Sequence, residues 1–156
     1  MNVVTATGCT GELGPLARIV LKYGEMIEDR ATAAGSTSAD WAPVAELVAV
    51  SEFQRVGAYQ EVMTWDEYVT FLSTWAGSTR FEATVFRITE VGRTVFQEIE
   101  ERHYKGEDFI RKNVIAVFAF DPQDRIRRLD IYEQAKDTGR WIVDAAHDAL
   151  TPQAGG

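Results

Sequence analysis

From Arg80 to Gln134 the sequence alternates almost without interruption, and this stretch restricts the fold more than any other. "RFEATVFRITE" and "RTVFQEIEERHY" are two alternating runs joined at "EVGR", a hairpin signal. "FIRKNVIAVFAF" and "RIRRLDIYEQ" are two more, joined at "DPQD", where Pro122 suits a turn. Successive side chains of a strand point to opposite faces, so each run has two faces of different character. The pattern predicts two long antiparallel hairpins in one strongly curved sheet.

The segments before it are helical. "GPLARIVLKYGEMIEDRATA" places Leu16, Ile19, Val20, Tyr23, Met26 and Ile27 on one apolar face, with Pro15 suited to the first turn. "AAGSTSAD" reads as a turn in which Asp40 or Ser38 caps a second short helix, "WAPVAELV", with Pro43 in its first turn. "AVSEFQRVG" is strand-like and "AYQEVM" reads as a loop. "TWDEYVTFLSTWAG" is a third helix, with a Thr64–Glu67 capping box, Gly77 as a stop and an aromatic-rich face of Trp65, Tyr68 and Trp75. "TGRWIVDAAHDAL" predicts a C-terminal helix, with His147 exposed on it. The predicted class is α+β, with helices gathered on one face of the antiparallel sheet. The expected organisation is one domain over residues 13–150, a flexible leader over 1–12 and a flexible tail over 151–156.

Composition narrows the function. The chain has 156 residues, 46% of them hydrophobic, enough for one sizeable core. Its net charge of −8 argues against nucleic acid and anionic membrane, both of which need a basic face. No segment approaches the roughly 20 apolar residues of a membrane span, so a soluble, cytoplasmic protein is expected. The single cysteine, Cys9, excludes a disulfide framework and a cysteine-rich zinc site. The two histidines are far apart, without HxxxH spacing, and no glycine-rich phosphate loop is present. No metal and no cofactor are predicted.

The order of these elements resembles the NTF2-like superfamily, the cone-shaped fold of SnoaL-like, ketosteroid-isomerase-like and limonene-epoxide-hydrolase-like proteins. "ADWAPVAELVAVSEFQ" is similar to that family's short second helix running into its first strand. "VFQEIEERH", "NVIAVFAFD" and "RIRRLDIYEQ" are similar to its last three strands. The resemblance spans roughly residues 15–135. It implies an NTF2-like cone in which three helices of the N-terminal half close the concave side of the sheet. It also implies a deep, mostly apolar pocket open at one end, lined by one parity of each strand. The fold carries isomerases, hydrolases, dehydratases, cyclases and proteins with no chemistry. A homodimer through the outer sheet face is common in it.

Neither face of "VFQEIEERHY" is wholly apolar, so periodicity alone leaves two choices. Alignment with the epoxide-hydrolase-like branch puts Gln97, Ile99, Glu101 and His103 inside, with Lys112, Val114, Ala116 and Phe118 on the next strand. Leu129, Ile131 and Glu133 follow on the last strand, and Phe53 and Arg55 on "SEFQRVG". Glu98, Glu100 and Arg102 then form an outer face with cross-strand pairs. The inner face has an apolar base and a polar end, the combination that small-molecule chemistry needs. A carboxylate in apolar surroundings can act as general acid or base near neutral pH, where histidine also titrates.

Glu101 and His103 stand about 6.5–7 Å apart along the strand, within reach of each other. These two, with Arg55 to orient a substrate oxygen, are the catalytic candidates; a structural Arg55–Glu101 ion pair is the competing reading of the arginine. Tyr23, Phe53, Tyr68, Gln97, Ile99, Lys112, Val114, Phe118, Leu129, Ile131 and Glu133 are the substrate-binding candidates. The resemblance implies cofactor-free acid–base chemistry on a hydrophobic polyketide-, terpenoid- or steroid-like molecule, of isomerase or dehydratase/cyclase type. In the ketosteroid-isomerase-like pattern Tyr23, Tyr59 or Tyr68 would donate to an enolate. The alternatives are a non-catalytic ligand-binding or dimeric scaffold module, and an epoxide hydrolase. Limonene-epoxide-hydrolase-like proteins use an Asp–Arg–Asp set, with Tyr and Asn holding a water. In this sequence Glu101, Ile99 and Ile131 occupy the three charged positions, and Phe53 and Arg55 the other two. Burial discriminates: an exposed Glu101–His103 pair without a cavity would favour the binding module.

Overall fold

The structure, a computed structural model, describes residues 2–3, 12–33, 37–76 and 80–135. Helix α1 (Pro15–Ala31) buries Leu16, Ala17, Val20, Tyr23, Ile27 and Ala31 along one stripe. Its own sequence supplies no capping side chain. The first turn is instead satisfied from the sheet: the Ala17 N–H donates to Glu90 Oε2 at 2.9 Å. Gly14 permits this approach, since a Cβ there would lie 2.1 Å from the Glu90 carboxylate. A 3-10 turn (Ser38–Trp41) is capped by a reciprocal Thr37–Asp40 box and leads into α2 (Ala42–Ala45). Helix α3 (Trp65–Trp75) starts with the expected Thr64–Glu67 box.

The strands are β1 (Asn2–Val3), β2 (Gln54–Val56), β3 (Val62–Met63), β4 (Arg80–Val91), β5 (Thr94–Lys105), β6 (Asp108–Phe120) and β7 (Ile126–Ala135). Their order is β1-β4-β5-β6-β7-β2-β3. The four long strands pair antiparallel, as their alternation requires. The whole sheet is mixed rather than antiparallel, because β2 pairs in parallel with β7 and β1 in parallel with β4. Strands distant in sequence are not tied by a hairpin, so nothing local fixes their direction. Segments expected as leader and loop thus contribute the short edge strands β1 and β3. The expected helix at 138–150 with His147, the tail at 151–156, Cys9 and Gly77 lie outside the described residues.

A register shift between Val85 and Arg87 leaves Phe86 unmatched on β4. Before it, Phe81, Ala83 and Val85 are buried; after it, Ile88 and Glu90 take the inner side. A bulge bends a strand and reverses its facing. This one turns Glu90 toward the start of α1. The main core lies between the helices and the concave face, where Val20, Tyr23, Trp41, Val44 and Leu72 meet Val95, Phe118, Phe120 and Ile126.

Turns of defined geometry fix the β4–β5 and β6–β7 hairpins. Gly92 takes φ +58° between β4 and β5, where a side chain would be strained. Between β6 and β7 the buried Asp121 carboxylate accepts the Gln123 and Arg125 N–H groups, both at 2.9 Å, and Arg125 Nε at 3.0 Å. Burial pushes the Asp121 carboxyl up, but hydrogen bonds from the Arg125 amide and guanidinium outweigh it and hold it below the ordinary range. Asp121→Ala is expected to destabilise the protein by about 1–3 kcal/mol in urea unfolding at neutral pH. A depressed folded pKa stabilises above the unfolded pKa of about 3.9 and loses that effect as pH falls through the folded value. The difference between wild type and variant should therefore persist at pH 5 and shrink below about pH 4.

Candidate functional site

The inner row of β5 is the expected one. Gln97 and Ile99 are buried, and the Glu101 and His103 side chains, nearer the strand end, are 21% and 19% exposed. Register then fixes their neighbours. Ile99 lies between Val85 and Val114, Glu101 between Ala83 and Lys112, and His103 between Phe81 and Ile110. Across β6, Glu133 stands opposite Val114, Ile131 opposite Ala116 and Leu129 opposite Phe118. Arg55 of β2 pairs with Leu129.

These rows border two adjoining spaces. The outer is a cavity of about 460 Å³ between α3 and the strand ends, bordered by Arg55, Tyr68, Trp75, Glu101, His103, Lys112, Ile131 and Glu133. The inner is a chamber of about 80 Å³ beneath α1, bordered by Tyr23, Tyr68, Gln97, Ile99, Phe118 and Leu129. Ile27, Tyr68, Phe81, Glu101 and Ile131 border both.

His103 Nε2 and Glu101 Oε2 are 3.1 Å apart, a hydrogen bond. The imidazole packs against Trp75 and Phe81, with ring centroids 5.5 and 5.1 Å away in a three-ring cluster. A carboxylate bonded to a fixed imidazole is a pair through which a proton can pass. Lys112, directly across from Glu101, is engaged instead by Glu133 at 3.2 Å. Arg55 pairs with Glu61 at 3.5 Å rather than with Glu101, and its guanidinium lies 5.1 Å from the centre of the Tyr68 ring. Burial raises the Tyr68 phenol above its ordinary value, with the Arg55 charge opposing and Glu101 adding. Burial raises Tyr23 further, and Tyr68 adds to it. Both remain protonated donors at neutral pH. Among the described residues, no group of three or more His, Cys, Asp and Glu side chains is placed to hold a metal ion.

Most of the anticipated residues meet in these two spaces, and two do not. Phe53 is buried behind the wall, edge-on to Trp65 at 5.4 Å and stacked on Tyr68 at 6.1 Å. Val114 packs with Val85 and Ile99 in a separate apolar cluster. Each has the inward parity, but neighbouring side chains cover it. Tyr59 is 75% exposed and cannot donate into the site. Trp75, Phe71, Ile27 and Phe81 border the site without having been anticipated. The available signal was spacing: Ile27 follows Tyr23 by four residues and Trp75 follows Tyr68 by seven, each on its helix's inward stripe. Glu98, Glu100 and Arg102 lie on the outer face as expected, where Arg102 bonds Glu100 at 2.9 Å and Glu82 at 3.4 Å, and Arg87 reaches Glu98 at 3.6 Å.

No protein-family model matches the sequence. No curated protein matches it either. Solved structures do match the fold. An LEH-like epoxide hydrolase of M. tuberculosis superposes with a TM-score of 0.64 at 17% identity, covering 88% of this chain and 96% of the other. A protein of Shewanella putrefaciens CN-32, described as a SnoaL-like polyketide cyclase, gives 0.65 at 8% identity, covering 90% and 100%. The epoxide hydrolase/cyclase-like enzyme SalBIII, of pyran ring formation in the polyether salinomycin, gives 0.62 at 11% identity, covering 78% and 92%. At such identities the likeness is one of fold.

The reassignment of Phe53 is open to measurement. Phe53→Ala should cost about 3–5 kcal/mol in urea unfolding, the loss of a fully packed core ring. A loss under about 1 kcal/mol would put Phe53 back in the cavity wall.

Proposed function

With the NTF2-like fold of this chain as the frame, we propose that it is a SnoaL-like enzyme performing cofactor-free acid–base chemistry, of isomerase or dehydratase/cyclase type. Its substrate would be a hydrophobic polyketide-, terpenoid- or steroid-like molecule held in the cone. One observation carries the reading: Glu101 and His103 are bonded at 3.1 Å on the inner face, between a cavity of about 460 Å³ and an apolar floor. In an isomerisation, Glu101 takes a proton from one substrate atom and the pair returns it at another. No oxidant, reductant or second reactant is consumed. Arg55, on the cavity wall beside Tyr68, orients a substrate oxygen at the outer end. The names of the similar structures, a polyketide cyclase and a hydrolase/cyclase-like enzyme, favour the same substrate class.

The test is turnover across a panel of such compounds. Glu101→Gln and His103→Ala should each lower kcat by about 10²- to 10⁴-fold, the usual size of a general acid–base contribution. Both should unfold within a few degrees of wild type. Undiminished turnover in both variants would remove the reading. Saturable binding by wild type without turnover would assign a non-catalytic module instead.

We also propose that a second copy of the chain covers the outer sheet face. Phe86, Phe96, Ile115 and Tyr132 are exposed there, with Phe96 opposite Val117 and Ile115 opposite Tyr132. Contiguous apolar side chains on a sheet face favour a partner over water. Sedimentation should give a dimer for wild type and a monomer for Ile115→Glu. A wild-type monomer at tens of micromolar would reject the interface.

A further inference from the structure

The bond between Glu101 and His103 needs something to hold it. The two residues lie on one strand, and both side chains are partly exposed and border the outer cavity. A histidine has three staggered χ1 wells, and the strand backbone alone does not select the one that meets the carboxylate. A hydrogen bond between partly exposed groups competes with water, so its net contribution is small. Unless other side chains restrict it, the imidazole can turn away from Glu101 into the cavity.

Three rings from three elements meet at this point. Phe81 of β4 stands directly opposite His103 in register, with centroids 5.1 Å apart and planes at 43°. Trp75, the last residue of α3, meets the imidazole at 5.5 Å and 60°. The indole and the Phe81 ring are themselves 5.4 Å apart at 64°. Edge-on and tilted aromatic pairs at such distances are favourable beyond the area they bury. The two neighbours differ in what else they do. Phe81 is buried in a small apolar cluster with Ala31 and Ala83. Trp75 is only half-buried and borders the outer cavity. The Thr64–Glu67 box fixes the start of its helix, and Tyr68 and Leu72 tie that helix to the main core, so α3 has anchors besides the indole.

We propose that Trp75 is a positioning residue: its indole packs the His103 imidazole into the rotamer that bonds Glu101 and keeps it from turning into the outer cavity. Phe81 supplies the second surface, set by strand register. Loss of the indole leaves Glu101 and His103 on the inner face of β5 but lets the imidazole sample its other rotamers. The catalytic consequence rests on the acid–base reading above; the positioning does not, and it is measured without turnover.

The experiment is NMR on protein labelled with ¹³C and ¹⁵N at histidine. The chain has two histidines, His103 and His147, and His103→Ala assigns the signals. In wild type the couplings across χ1 of His103 should report a single rotamer, with NOEs from its ring to Trp75 and Phe81. In Trp75→Leu the ratio of that rotamer to the others should fall about two- to tenfold, the range of an aromatic-pair contribution. Trp75→Phe keeps a ring and should hold the ratio within about twofold of wild type. Averaged couplings in wild type, an unchanged ratio in Trp75→Leu, or no rescue by Trp75→Phe overturns the proposal. The wild-type couplings decide even where Trp75→Leu fails to fold. On a compound that the protein turns over, Trp75→Leu should lower kcat by about the same factor, and Trp75→Phe should recover it. That loss should be smaller in a His103→Ala background; an equal loss there makes the indole cavity wall alone and overturns the proposal. Full turnover in His103→Ala alongside the expected rotamer change removes the acid–base reading and leaves the positioning intact.

Discussion

The site depends on how α1 lies across the concave face of the four long strands. Its stripe of Leu16, Val20, Tyr23 and Ile27 shares one core with Val95, Ala116, Phe118 and Leu129. The helix is anchored at its start by Glu90, which reaches the first turn because the bulge at Phe86 reverses the facing of β4. Without that reversal Glu90 would face outward, and the N-terminal amides would need another acceptor. One irregular residue in a strand thus fixes where α1 begins. That start fixes where Tyr23 stands, two turns later, and Tyr23 closes the floor of the inner chamber.

Desolvation sorts the polar groups of the cone by depth. Toward the open end six partly exposed groups form three pairs: Lys112 with Glu133, Arg55 with Glu61, Glu101 with His103. Water and a counter-charge together make such groups tolerable, whereas a lone buried ion carries a penalty of several kcal/mol (on the order of the Born cost after relaxation). Deeper in the cone the polar groups are neutral, a phenol and an amide. The result is a gradient from paired charges, through a carboxylate–imidazole pair, to uncharged donors.

Much of this was legible in the sequence. Strict alternation over Arg80–Gln134 gave the strands, and the turn residues gave the hairpins. Once the family resemblance chose between the two parities of β5, the inward positions of β6 and β7 followed from register. Parity, however, states which face a residue takes and not what lies over it. Phe53 and Val114 have the inward facing and are still sealed in the core by Trp65, Tyr68, Val85 and Ile99. The parallel pairing of β2 with β7 was not legible, because it is set by how α2 delivers the chain, through the bridge of Val48 to Ile126. The bulge left one trace that went unread: in "ATVFRITE" the apolar positions change parity at the adjacent Val85 and Phe86.

The fold leaves open which chemistry it serves, since the similar structures carry the names of an epoxide hydrolase, a cyclase and a hydrolase/cyclase-like enzyme. The side chains of the cone discriminate among these. Hydrolysis in the epoxide-hydrolase-like manner needs a water held and activated by a charged set on the inner strands. On the alignment that the resemblance implies, Ile99 and Ile131 stand at two of those three positions, and both border the inner chamber. Glu133 is the other carboxylate near Glu101 across the sheet, and Lys112 neutralises it. Glu101 is joined to the His103 imidazole and borders the largely apolar inner chamber. Asp108 and the Lys112-paired Glu133 border the outer cavity as Glu101 does, but the carboxylate bonded to the imidazole is Glu101, and that pair has what is needed to move a proton on a carbon framework. Acid–base isomerisation or cyclisation is therefore the chemistry we propose ahead of hydrolysis.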